Sequence, residues 1–386
     1  MLYRIKNKKL SEIKIRKVEN DSDKNQFINL PWKIYKDFPN WVPPLKFDVK
    51  NNLNPAKNPF FQHSTVELYL AERDGQLVGR IAAIINDNHN KFYNDKIGFF
   101  GFFECINDKE VSKKLFDTAY NFLKSKGMDT VRGPVNPSTN DECGLLIDAF
   151  DSPPVMLMTY NPPYYIDLIE SYGFAKAKDL YAFYIPVEVI NNKEKMAQLE
   201  RISNMVMKRE KITLRHVNLK DFENEVQRVR EIYNNAWEDN WGFVPMTEDE
   251  FKYIAKTLKA VVDKDFVIFA EVDGKAIGFS LALPDFNQVL KKLNGTLFPT
   301  GLFKLLYYKG KIDLLRVIIM GVNKEYHKKG IDAIFYQDII KAGNRRGYKG
   351  AEISWVLEDN FAMKQTAEKL GAHVYKTYRI YDMAIK

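Results

Sequence analysis

One nine-residue frame occurs twice in the chain. Ala71-Glu-Arg-Asp-Gly-Gln-Leu-Val-Gly79 returns 199 residues later as Ala270-Glu-Val-Asp-Gly-Lys-Ala-Ile-Gly278, and both copies are flanked by apolar, strand-like residues. A second pair agrees: Ser171-Tyr-Gly173-Phe174 and Lys369-Leu-Gly371-Ala372 each follow a helical pattern and precede an aromatic-rich strand, with their glycines 198 residues apart. Two near-equal offsets describe one fold used twice. The division expected from them is residues 1–190 and 191–386.

A chain of 386 residues has room for two such units with cores of their own. The Met-Leu-Tyr-Arg-Ile-Lys start is charged and lacks the apolar core of a signal peptide. No run of about 18 apolar residues occurs, so no transmembrane helix is expected. Cys105 and Cys143 are the only cysteines, which excludes a disulfide framework. A cytoplasmic location is the expectation by elimination. The five histidines are scattered without ligand spacing, so no metal is expected. The net charge of +8 is concentrated late: residues 303–350 carry 11 basic side chains against four acidic ones. A solvated basic face and a polyanion-binding surface both fit that excess.

Periodicity gives the second half the order β-α-α-β-β-β-α-β-α-β. Ile212–Val217 reads as strand and Asp221–Trp237 as helix. A second helix runs through Phe251–Val262, opened by Thr247 with Glu250 three residues on. Phe266–Val272 and Ala276–Leu283 form a hairpin across Asp273-Gly274. Leu314–Val322 is nearly all apolar, as a strand buried on both faces would be. Helix from Gly330, strand Ala351–Val356, helix Asn360–Leu370 and strand Val374–Ile385 complete the half. The first half follows the same order less regularly, with Ile97–Ile106 as its matching buried strand. Residues 136–163 depart from it as a long irregular stretch of aromatic and apolar content, a length that usually marks function.

Between the buried strand ending at Val322 and the helix opening at Gly330, a helix N-terminus, a glycine and Lys328-Lys329 together suit a phosphate. This element resembles the pyrophosphate loop of the GNAT acyltransferase superfamily, whose [QR]-x-x-G-x-[GA] pattern falls on His327-Lys328-Lys329-Gly330-Ile331-Asp332. The resemblance covers most of Ile212–Ile385 in order of elements. It implies two GNAT-like α/β (α+β) units related by duplication, each a mixed central sheet flanked by helices. It further implies that acetyl-CoA or another acyl-CoA is the co-substrate, held by the strand edge around Met320 and Val322, by residues 327–332 and by Asn360. His327 and Asp332 depart from the family's pattern, and Ala367 stands where a proton-donating tyrosine often occurs. The first half has no such loop, since Asn107–Ser112 lacks glycine, and reads as a degenerate copy that shapes the acceptor site.

Candidate acceptor contacts are Trp237 and Trp241 between the first two helices of the second half, Asn287 after its third strand, and Asn136 and Tyr160 in the irregular stretch. That stretch also groups Ser138, Asn140, Asp141 and Glu142 just past a strand. Glu352 and Asp285 are the candidate general bases. Glu104, inside an apolar run, is either turned outward or buried with a partner. The resulting expectation is an acyl-CoA-dependent N-acyltransferase acting on a small-molecule or peptide amine. Rival readings are an aminoacyl-tRNA-dependent transferase, a CoA- or polyanion-binding protein without turnover, and membrane-surface association through Leu302–Lys311.

Overall fold

The computed structural model describes residues 12–386; the Met-Leu-Tyr-Arg-Ile-Lys start lies outside the described residues. The first half contributes strands β1 (Ile13–Lys17), β2 (Ser64–Arg73), β3 (Gln76–Asn86), β4 (Ile97–Cys105), β5 (Thr130–Gly133) and β6 (Ala175–Pro186). The second contributes β7 (Thr213–His216), β8 (Val267–Val272), β9 (Lys275–Pro284), β10 (Leu314–Val322), β11 (Gly350–Leu357) and β12 (His373–Ala384). The repeated frame is the β2–β3 hairpin in one half and β8–β9 in the other. Asp74 and Asp273 both have positive φ at the turn, 52° and 50°, which matches the twist of a two-residue hairpin.

With the two-residue strand Leu145–Leu146 beside β12, these elements form a single 13-stranded mixed sheet in the order β1-β2-β3-β4-β5-β12-β6-β11-β10-β9-β8-β7. The last strand of each half therefore completes the other half. β12 pairs with β5 and β6 pairs with β11, while β6 and β12 run antiparallel at the centre. Two bidentate ion pairs fix this crossing: Arg132 to Asp382 at 2.8 and 2.7 Å, and Arg379 to Asp179 at 2.8 and 3.1 Å. Each is a planar guanidinium–carboxylate fork, which adds register to affinity. One apolar cluster draws on both halves through Phe99, Leu146, Leu180, Leu357, Tyr378 and Ile380.

Helix starts follow the sequence signals. Thr247 and Glu250 form the reciprocal capping box on Glu248–Leu258, and the Asn360 side chain accepts the Met363 N–H to open Phe361–Leu370. An 18-residue helix that the sequence reading lacks, Lys193–Glu210, precedes β7. Between β9 and β10, the basic and aromatic segment folds into the short helices Asn287–Leu293 and Gly301–Tyr308, the second of them over most of Leu302–Lys311. Among the described residues, no helix is long and apolar enough to cross a membrane.

Candidate active site

Parallel pairing inside each half is brief. β10 and β11 are in register only over Leu314–Val317 and Gly350–Ile353, after which they diverge and leave the β10 edge from Ile318 to Val322 without a strand partner on that side. β4 and β5 likewise pair only over Ile97–Phe99 and Thr130–Arg132. There the gap is crossed by the chain itself. Val135–Asn136 pairs with Glu142–Cys143, and Asn136 Oδ1 accepts the Phe102 N–H at 2.6 Å. The first wedge is bridged and the second is open.

Both wedges border one cavity of about 1200 Å³, lined from β10 by Arg316 to Met320, from β11 by Ile353 to Leu357, and from the first half by Glu104, Asn136 and residues 139–142. The irregular stretch of the first half forms the wall facing β10. It is held there by the second half: Thr139 donates to the Gly242 carbonyl at 2.7 Å, Asn140 to the Val244 carbonyl at 3.0 Å, and Tyr233 to Asn140 Oδ1 at 3.1 Å.

Two adjacent carboxyls lie on that wall. Burial pushes Asp141 up to about 6, against the hydrogen bond that it accepts from Ser138 Oγ at 2.7 Å. Burial, reinforced by the Asp141 charge and opposed by Arg316, pushes Glu142 up to about 7. Glu142 has exposed surface and lines the cavity, where the surrounding protein limits how well its charge can be solvated. Its carboxylate has no side-chain or backbone hydrogen-bond partner among the described residues. It was grouped with its neighbours in the sequence but not singled out, because its environment comes from the other half of the chain.

The two carboxylates expected to act as bases sit elsewhere. Glu352, 0% exposed on β11, accepts from the Ser354 and Tyr375 hydroxyls, one to each oxygen. Burial raises it above the ordinary carboxyl range, with Arg316 the leading opposing charge. Asp285 Oδ1 accepts the N–H of Met156 at 2.8 Å and of Asn287 at 3.2 Å, and burial raises its pKa to about 6. Neither residue is among those lining the cavity. They belong to a clasp that grips residues 148–156. Arg316 donates to the Met156 carbonyl at 2.6 Å and Asn287 to that of Pro154 at 2.9 Å. Buried Lys376 donates to those of Ser152 and Pro153 at 2.8 and 2.9 Å, and Asp148 takes the Thr377 N–H at 2.6 Å. Arg316 could have been noticed as the lone cation in an apolar run. Lys376 gave no such signal.

Of the acceptor candidates, Trp237, Trp241, Asn287, Asn136 and Tyr160 all line the cavity. Trp237 packs so closely on β10 that a Cβ at Gly321 would lie 2.0 Å from its ring. Trp241 carries the Arg132 guanidinium 4.8 Å and the Lys178 ammonium 5.5 Å from its ring centre. Tyr160 donates to the Phe150 carbonyl at 3.0 Å. Glu104 is buried with partners: Tyr165 donates to it at 2.7 Å and Arg80 lies 3.4 Å away.

At the far end of β10, Gly330 takes φ +81° at the start of the helix Ile331–Arg346. His327 Nε2 is 2.8 Å from the Val322 carbonyl, and Lys329 pairs with Glu210 at 3.1 Å. Asp332 accepts from Thr366 at 3.1 Å, so its carboxylate is tied to the neighbouring helix. Lys328 is exposed. Met320 and Asn360 line the cavity, whereas Val322 and residues 327–332 lie beyond it. Of the 11 basic residues of 303–350, Lys324, Lys329, Lys341, Arg346 and Lys349 are in ion pairs and Arg316 is buried, while the other five are exposed. Among the described residues, no group of three or more His, Cys, Asp or Glu side chains could hold a metal ion.

Two duplicated halves, each with a parallel strand pair that splays after a few residues, define the class: this is a tandem GNAT fold. A tandem GNAT protein from the clavulanic acid biosynthesis pathway superposes over 97% of this chain and 99% of its own, with a TM-score of 0.57 at 11% identity. A GCN5-related N-acetyltransferase from Anabaena variabilis gives 0.52 at 9% identity, over 97% of this chain and 73% of its own. No family model matches the sequence. Whole-length relatives do: Protein YghO of Escherichia coli (strain K12) is 37% identical over 377 residues, 96% of this chain and 95% of that protein. The bacterial ceramide synthase of Caulobacter vibrioides (strain NA1000 / CB15N) is 36% identical over 386 residues, 97% and 98% of the two chains. The chain belongs to the family these two proteins represent.

Proposed function

We propose that the protein is an N-acyltransferase that moves an acyl group from acyl-CoA onto an amine held in the cavity, with Glu142 as the proton acceptor. The observation that carries this reading is the position of Glu142, a carboxyl without a partner among the described residues, in the same cavity as the open edge of β10. We further propose that residues 1–190 and 191–386 are the repeat units and that the second holds the acyl donor. The β10 edge from Ile318 to Met320, without a strand partner on that side, suits an amide-bearing arm, and the N-terminus of Ile331–Arg346 suits a phosphate, with Lys328 beside it. Among the residues expected to bind the donor, Met320 and Asn360 fall on the inner part of that path and 327–332 on the outer part. The bridged first wedge leaves no comparable edge.

An acyl-CoA supplies an activated thioester. At that carbonyl the acceptor's nitrogen forms the new C–N bond as the C–S bond breaks. β10 N–H groups stabilise the developing oxyanion. Glu142 takes a proton from the nitrogen, directly or through one water, and a proton from solvent neutralises the departing sulfur. Glu352 and Asp285 keep a proposed role one step removed, fixing the wall on which Glu142 sits.

For the acceptor we propose a long-chain amine. A ceramide is the amide of a fatty acid with a long-chain amino alcohol, and one relative is named a ceramide synthase. In this chain the cavity continues past the polar wall between the apolar side chains Phe47, Leu157, Leu290, Leu293, Leu297 and Leu305. The aminoacyl-tRNA reading has less to rest on, since six of the 11 late basic residues are held in ion pairs or buried. Thermal unfolding with palmitoyl-CoA, acetyl-CoA and CoA is the first test. Ligand at about 100 times its dissociation constant should add about 2.7 kcal/mol. Lys328→Glu and Gly330→Glu should each weaken the shift, raising the dissociation constant at least tenfold. No shift with any CoA species would sink the reading.

A further inference from the structure

We propose that the insert between β9 and β10 is a membrane-docking face, which seats the protein on an anionic lipid surface with the cavity mouth against the bilayer. The proposal goes beyond the acyltransfer reading and does not rest on it. The insert has two apolar sides. One lines the cavity, through Leu290, Leu293, Leu297 and Leu305. The other faces outward with no cover: Phe298 is 76% exposed, Phe303 74%, Tyr307 63% and Leu306 58%. Monomeric soluble proteins rarely leave so many large apolar side chains together in water. The helix Gly301–Tyr308 is nevertheless held in place. Lys304 donates to the Lys292 carbonyl at 3.2 Å, and the insert docks on the first half through Lys46 N–H to the Gly295 carbonyl at 3.0 Å and Trp32 Nε1 to Asn294 at 3.1 Å. Phe47, 64% exposed and next to that junction, extends the patch across to the first half.

Charge identifies the occupant. Residues 286–312 contain Lys291, Lys292, Lys304, Lys309 and Lys311 and no acidic residue. All five lysines are exposed. Exposed Phe, Leu and Tyr ringed by lysine is the composition that enters the headgroup region of an anionic bilayer, with aromatic rings at the interface and ammonium groups at the phosphates. A cavity whose apolar wall is the back of the same insert would then open toward the acyl chains, a route by which an amphiphile could enter without crossing water.

Flotation of the full chain with vesicles of phosphatidylglycerol and phosphatidylethanolamine tests this, with phosphatidylcholine vesicles beside them and sedimentation velocity in their absence. The protein should float with the anionic vesicles, less with phosphatidylcholine, and less as salt rises. Phe298→Ser with Phe303→Ser should reduce binding to the anionic vesicles at least tenfold, and Lys291→Glu with Lys309→Glu should remove its salt-sensitive part. All four side chains are exposed, so the fold should be unchanged by circular dichroism. Failure of the unsubstituted protein to float, or equal flotation of the double serine variant, overturns the proposal. So does a dimer that the serine variant disperses without any vesicle binding, which would show the patch to be a contact with a second copy. Vesicle binding is independent of CoA binding, so either result leaves the acyltransfer reading to its own test.

Discussion

Glu142→Gln is expected to lower the rate of acyl transfer by about 10²–10³-fold while the protein keeps its fold and its affinity for acyl-CoA. Glutamine matches glutamate in shape and cannot take a proton. The carboxyl has no hydrogen-bond partner among the described residues, so no network is broken. In the unsubstituted protein the rate should rise with pH through about 7, the value to which burial and the Asp141 charge push this group. The residual activity of the variant should lose that rise. Stability should move the other way. Between the unfolded value of 4.5 and about 7, the folded state binds the extra proton, so stability falls as pH rises through that window. Glu142→Gln removes this slope and should melt higher than the parent at pH 8. A variant that is both less active and less stable at pH 8 would make Glu142 a structural group. A variant that transfers normally would return the search to other cavity residues.

The contrast between the halves explains what could be read in the sequence. In the second half, elements follow local signals: the Thr247–Glu250 capping box, the Asp273-Gly274 turn, the apolar run Leu314–Val322 and the glycine after Leu370 each set a boundary found in the structure. Periodicity reports which residues are buried, and it does so wherever the fold is regular. Strand exchange left no such trace. Arg132–Asp382 ties β12 to β5 of the other half, and Arg379–Asp179 ties the two exchanged strands to each other; both pairs are remote in sequence. The site is harder still to read because it is made between the halves. Glu352 reads as a candidate base because it lies on a strand of the open wedge, and Asp285 because it ends the strand before it. Their local sequence does not disclose that Tyr375 and the backbone of Met156, both remote, take an oxygen of each. Glu142 was visible only as one polar residue in a group. Its raised pKa depends on walls supplied by the second half. The apolar, basic insert was legible as a composition. That its aromatic side is uncovered depends on how the two short helices turn.

Arg316→Met carries the largest expected cost in stability. The guanidinium is buried and donates to three groups: Ser354 Oγ at 2.9 Å, the Ser354 carbonyl at 3.2 Å and the Met156 carbonyl at 2.6 Å. It is also the main positive charge acting on buried Glu352. Methionine fills most of the volume and satisfies none of this. Removing one partner of a buried charge cluster typically costs about 3–5 kcal/mol, most of it the penalty on the charge left behind. The remaining charge is a carboxylate, so the cost should depend on pH. Without Arg316, Glu352 holds its proton to higher pH in the folded state. The variant therefore loses stability more steeply than the parent as pH rises above the unfolded value, and the gap between them should be smaller at pH 5 than at pH 8. Urea midpoints at the two pH values measure this directly. Glu352→Gln added to Arg316→Met should recover part of the loss at pH 8 and little at pH 5. A gap that does not change with pH would mean that the lost carbonyl hydrogen bonds, and not the stranded charge, set the cost. Because Arg316 also grips residues 148–156, the variant should transfer acyl groups poorly even where it is folded, and its acceptor KM should rise more than its donor KM. That split would tie the clasp to the first-half wall that carries Glu142, and through it to the exchange of strands that brings the wall there.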